Sequence, residues 1–235
     1  MRLNAIEAAN QFIEFCFPSC QAALLAGSVV RGEATNTSDL DIVVFDDSIS
    51  SAYRESLFEH GWAIEVFVHN LQSYSDFFES DCIRARPSLP RMVSEGLVLK
   101  DLGIIDAIKC EAKQLLENGP DRWSLDTIAM KRYMLSDALD DFVGSSKEDE
   151  DLFIANTLAD AIHEFFLRTH GQWIGTSKWI VRALKQYDEV FANEFVNAFT
   201  AFYRAGNKSE VVKLTDKVLE PFGGRLFHGF SIGKN

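Results

Sequence analysis

Several things are scarce in this chain. Its four cysteines, Cys16, Cys20, Cys82 and Cys110, form no Cys-x-x-Cys pair, and its five histidines are scattered. Cys16 and Cys20 would make only half of a zinc site, so reduced, partly buried thiols and no structural zinc are expected. No apolar run approaches the roughly 20 residues that a membrane-spanning helix needs, so no membrane role is expected. The first residues, Met1 to Glu7, place an acid where a secretion signal would be apolar, and the reading is a cytoplasmic protein. Positive charge is short as well: 23 Lys and Arg stand against 35 Asp and Glu, a formal charge of −12. A phosphate-backbone interface needs clustered Lys and Arg, so no nucleic-acid partner is expected. The same charge would draw in a cationic small molecule or a basic protein patch, or serve only for solubility. Internal repeats and low-complexity tracts are lacking too.

Apolar residues are abundant. They make up 47% of the 235 residues, with 19 Phe among them, which is material for one large folded domain or two small ones. Residues 4–16 place Ala5, Ala8, Ala9, Phe12, Ile13 and Cys16 at helical spacing, and Pro18 stops the run. Strands are expected at 21–26, 39–45 and 62–68, with a helix at about 51–60 between the last two. A helix follows at 71–84, then a rigid loop at Arg86 to Pro90, a short strand at 96–101 and a helix at 104–117. Asn118-Gly119-Pro120 is the clearest boundary signal. Beyond it only helices are expected, near 124–143, 149–169, 177–186, 188–205 and 208–220, followed by an irregular glycine-rich tail. Phe191, Phe195, Phe199 and Phe202 recur at helical spacing and read as bundle core.

Candidate chemistry is concentrated between Leu24 and Phe45. An apolar strand breaks at Gly27-Ser28, where glycine permits a tight turn and helix-start amides would face an anion such as a triphosphate. A second strand opens on Asp39 and Asp41, whose single-residue spacing sends both carboxylates from one face while Leu40 points to the other. Oxygen ligands without Cys or His favour Mg²⁺. Glu65 is the only charge in the apolar run Trp62 to Val68, costly there unless paired or metal-bound, and is the expected third carboxylate.

Gly-Ser, ten residues, then Asp-x-Asp resembles the signature of the polymerase-beta-like nucleotidyltransferase superfamily, particularly the aminoglycoside nucleotidyltransferases and the minimal nucleotidyltransferases of toxin–antitoxin pairs. It is spelled here by Gly27, Ser28, Asp39 and Asp41, with Arg31-Gly32 and Ser38 where such proteins often carry Arg-Gly and Ser. The resemblance implies an α+β protein. A nucleotidyltransferase domain over 1–120, a mixed sheet flanked by helices, would precede an all-α substrate-binding bundle over 121–235. It also implies Mg²⁺-dependent transfer of a nucleoside monophosphate, AMP from ATP or its equivalent from another NTP, to a hydroxyl of a small acceptor. The alternative it leaves open is an antitoxin-like protein that binds and nucleotidylates a HEPN-type protein partner.

In the second half, Asp137, Asp140 and Asp141 crowd one helix face, where like charges repel unless a cation relieves them. They are candidates for contact with a cationic acceptor such as an aminoglycoside, or they form a solvated face. Lys178 falls in the first turn of a helix, where a cation opposes the dipole, and Arg182 lies one turn later. Both are candidate phosphate contacts, since aminoglycoside nucleotidyltransferases close their nucleotide site with residues of a helical second domain.

Overall fold

A computed structural model describes residues 2–233. It resolves two compact units, Met1–Gly119 and Pro120–Asn235. The first contains α1 (Ala5–Cys16), β1 (Ala22–Ala26), α2 (Gly27–Val30), β2 (Leu40–Phe45), β3 (Tyr53–Glu59), β4 (Trp62–His69), α3 (Ser73–Ile83), α4 (Ser88–Glu95), β5 (Leu97–Asp101) and α5 (Ile105–Asn118). The strands form one mixed sheet in the order β3-β4-β2-β1-β5. β2 and β4 run parallel, and the other neighbours run antiparallel.

Alternation along the central strands decides what covers each face. Leu25, Ile42, Val44, Ile64 and Val66 pack with Phe12 and Ile13 of α1. The residues between them, Leu24, Val43 and Phe45, pack instead with Phe78 of α3, Leu89 and Val93 of α4 and Ile108 of α5. A strand covered on both faces reads as a continuous apolar run, as β1 and β2 do. Asp41 is on the Val43 and Phe45 face, at the start of the strand, where that cover ends.

Two sequence expectations are corrected. Residues 51–60 are not a helix, because β3 occupies Tyr53–Glu59 as the edge strand of a hairpin with β4. The connection is His60-Gly61, with φ of 53° and 79°, a two-residue turn of the kind that joins antiparallel strands. Gly61 also leaves room for the N-terminal segment, since a Cβ there would be 2.8 Å from Arg2 Cα. The expected loop at 86–90 is a loop only at its start. Ser88, Leu89 and Pro90 form the first turn of α4, where a proline removes no helical hydrogen bond. The buried Asp81 carboxylate accepts the Leu89 amide proton at 2.7 Å and anchors that turn.

The second unit contains α6 (Leu125–Gly144), α7 (Glu148–Thr169), α8 (Lys178–Tyr187), α9 (Glu189–Ala205), α10 (Ser209–Leu219) and a short 3-10 turn at Glu220–Phe222, with no strand among its described residues. The fold is therefore α+β, with a mixed sheet and then helices, as the sequence implies. Phe191, Phe195, Phe199 and Phe202 are all buried in the bundle, and Phe202 meets Phe142 edge to face at 4.9 Å. The glycine-rich tail returns along α6. Arg132 donates to the carbonyls of Gly223 and Gly224, each at 2.6 Å, and Tyr133 stacks on Phe230 at 4.1 Å.

Candidate active site

The polar end of the sheet is assembled by register. Asp41 faces Ala26 of the antiparallel β1 and Glu65 of the parallel β4, so the turn after β1 and the lone acid of β4 both adjoin it. Gly27 opens that turn with a φ of +76°, a conformation that residues with a Cβ rarely adopt. A second reason for glycine is space. A Cβ at Gly27 would be 2.8 Å from Asp41 Cγ and would overlap Oδ2. The carboxylate thus lies directly against the backbone where β1 becomes α2.

Asp39 precedes β2, and Leu40 between the aspartates is fully buried on the opposite face. Asp39, Asp41 and Glu65 each offer one carboxylate oxygen, and these oxygens lie within 4.8 Å of one another. Partial burial pushes Asp41 up to about 6, the neighbouring Asp39 and Glu65 charges push the same way, and Arg31 and Arg54 oppose them. Three converging carboxylates with no Cys or His suit a hard divalent cation, whose charge would offset the repulsion that raises Asp41.

The remaining candidates take varied places. Ser28 lies in the four-residue α2, and its carbonyl accepts the Glu33 amide proton at 2.9 Å. Arg31 caps the same helix and pairs with Glu95 of α4 at 2.9 Å and with Glu33 at 3.3 Å. Ser38 Oγ accepts the Thr35 amide proton at 2.8 Å and so shapes the loop leading into Asp39. Lys178 and Arg182 belong to the second unit. Lys178 is exposed at the start of α8, and the Arg182 guanidinium is 4.9 Å from the Trp179 ring centroid. Asp137, Asp140 and Asp141 are exposed on α6, where Arg225 pairs with Asp140 at 3.3 Å and also with Asp216.

One residue absent from the sequence reading sits at the site. Arg54 of β3 pairs with Glu65 at 2.5 Å. The signal that could have found it is the His60-Gly61 turn, which makes 53–59 a partner strand for β4 and brings Arg54 to the face that carries Glu65.

Residues 10–93 match the family model described as nucleotidyltransferase domain. No curated protein matches the chain. A solved structure of a nucleotidyltransferase-like protein from Exiguobacterium sibiricum is similar over 93% of this chain and 75% of that one, at 9% identity and a TM-score of 0.47. The matched residues run from α1 to α4 and include all three carboxylates and the glycine turn, so over them the chain is similar to a nucleotidyltransferase domain.

Proposed function

We propose that the protein transfers a nucleoside monophosphate, AMP from ATP in the first instance, to a hydroxyl of a small acceptor in the presence of Mg²⁺. The observation that carries this reading is the meeting of Asp39, Asp41 and Glu65 oxygens within 4.8 Å beside a glycine turn that no side chain could share. Asp39 and Asp41 are the metal ligands, with Glu65 as third ligand or as the base that takes the acceptor proton. Bound Mg²⁺ would supply charge neutralisation at the α-phosphate and at the leaving pyrophosphate. Gly27 and Ser28 present backbone amides to the β- and γ-phosphates, and Ser38 holds the approach loop. Arg31, already charge-balanced by Glu95 and Glu33, contributes by orienting α2 as well as by its own field.

Lys178 and Arg182 are proposed phosphate contacts. The acceptor is a small cationic alcohol of the aminoglycoside kind, which suits the charge of −12 and the exposed carboxylates Asp137 and Asp141. The test is Mg²⁺-dependent release of pyrophosphate from ATP against pooled aminoglycosides, nucleotides, sugars and proteins. Turnover is expected with the intact chain and loss of at least about a thousandfold, some 4 kcal/mol of barrier, in Asp39→Asn or Asp41→Asn. Turnover retained by the double variant would refute the assignment.

A further inference from the structure

We propose that Arg54 is a positioning residue of the metal site, one that fixes the Glu65 carboxylate so that it serves as a ligand and not as the base. The proposal rests on the reading of Asp39, Asp41 and Glu65 as the metal-binding set.

Strand order supplies the geometry. β4 lies between β3 and β2, so Glu65 has the Arg54 strand on one side and the Asp41 strand on the other. Glu65 is directly opposite Asp41 on β2 and Ser56 on β3. Arg54 is two residues from Ser56 and shares its face, a diagonal neighbour of Glu65 at a separation of about 7–8 Å that only a long side chain spans. It does span it, with Nη2 at 2.5 Å from Glu65 Oε1. The guanidinium is also held from below, its carbon 4.9 Å from the ring centroid of Phe67, the direct cross-strand partner of Arg54. Phe67 and Glu65 are themselves two residues apart on one strand face. Arg54 is thus fixed at two points, and it engages Glu65 from the flank away from Asp41.

A carboxylate has two oxygens. With Oε1 committed to Arg54, Oε2 is the oxygen for the cation, and the group is not free to swing toward an acceptor hydroxyl. Two effects of Arg54 on cation binding oppose each other: ordering a ligand strengthens it, and a nearby positive charge weakens it. The Arg54 side chain is 56% exposed, so water screens its field at the cation, whereas its contact with Glu65 is direct, with no water between the two groups, and is braced by the Phe67 ring. Ordering therefore wins, and the sign of the effect is fixed.

The experiment follows Mn²⁺ binding to the full chain without nucleotide, by the electron paramagnetic resonance signal of free Mn²⁺. The intact chain is expected to bind, and Asp41→Asn to abolish binding. Arg54→Met is expected to weaken binding about 10- to 100-fold, the usual effect of losing a residue that orients a ligand. Arg54→Lys, which keeps the charge without the planar fork, is expected to recover part of the loss. Arg54 is largely solvent-facing, so thermal melts of the metal-free variants are expected to match the parent. Unchanged or tighter binding by Arg54→Met, with binding by the intact chain lost in Asp41→Asn, overturns the role of Arg54 and leaves the metal reading standing. Absence of binding by the intact chain overturns both.

Discussion

Gly27 and Asp41 are a single solution to a packing problem, because the carboxylate occupies the volume that any other residue at position 27 would fill. Gly27→Ala adds a Cβ at a φ of +76°, which costs on the order of 1–2 kcal/mol by backbone strain alone, and it displaces Asp41. Its expected outcome is a lower melting temperature together with loss of the thermal shift that Mg²⁺ produces in the parent. Asp41 carries a cost of its own. Its folded pKa of about 6, against an ordinary value of 3.8, means that the folded state binds the extra proton. The associated stability is complete below pH 3.8 and is lost as pH rises through about 6. At pH 7 without metal the charged carboxylate therefore costs on the order of 2–3 kcal/mol. Asp41→Asn should melt higher than the parent at pH 7 in chelator, by a margin that shrinks toward pH 4. In saturating Mg²⁺ the order should reverse, since only the parent gains the ion. Equal melting at pH 7 in chelator would contradict the strain assigned to Asp41.

At the scale of elements, α3 and α4 are joined by one buried acid. Asp81 accepts from the Leu89 amide at the start of α4 and pairs with Arg84, which caps the end of α3. Asp81→Ala leaves that amide without a partner inside the fold, and a loss of about 1–3 kcal/mol in urea denaturation is expected. This acid was not legible in the sequence, because its partner is a backbone group eight residues away that only the turn at 84–88 brings near. The central strands were legible for the opposite reason: Ala22–Ala26 and, apart from Asp41, Leu40–Phe45 are buried on both faces, and Trp62–His69 alternates buried Trp62, Ile64, Val66 and Val68 with the more open Ala63, Glu65 and Phe67, so each run shows its strand period or its burial directly. β3 was misread because all its residues are exposed or half-exposed, so no alternation of apolar and polar residues marks its period. With β3 read as a helix, Arg54 lost its neighbours, and the sequence reading, which names Gly27, Ser28, Arg31, Ser38, Lys178 and Arg182 beside the three acids, omits the cation that pairs with Glu65. Asp39, Asp41 and Glu65 were legible together because spacing on a strand and a lone charge in an apolar run are local facts, while cross-strand register is not.

For the molecule as a whole, acid stability is a contest between groups that titrate in opposite senses. His69 in the first unit is 3% exposed, its Nδ1 has no hydrogen-bond partner, and burial lowers its pKa to about 4, against a smaller opposing pull from Asp81. His163 in the second unit is as deeply buried, with Nδ1 at 3.2 Å from the Ala159 carbonyl and Nε2 at 3.0 Å from that of Gly175. A neutral imidazole has one N–H and can satisfy only one of those carbonyls, yet burial still lowers its pKa. A depressed histidine contributes stability that is present above pH 6.5 and lost as pH falls through its folded value. Asp41 moves the other way, gaining stability as pH falls through about 6. Between pH 7 and pH 5, His69 and Asp41 each shift stability by about 1–2 kcal/mol with opposite sign, so their effects largely cancel in the parent. His69→Leu removes one side of the balance. In metal-free buffer the parent should show a small change in urea midpoint between pH 7 and pH 5, with His163 tipping it downward. Over the same pH interval the unfolding free energy of the variant should hold up better than that of the parent by about 2 kcal/mol, the contribution of His69. A parallel fall in the two proteins would mean that His69 is protonated in the folded state, and that its environment is wetter than its burial implies.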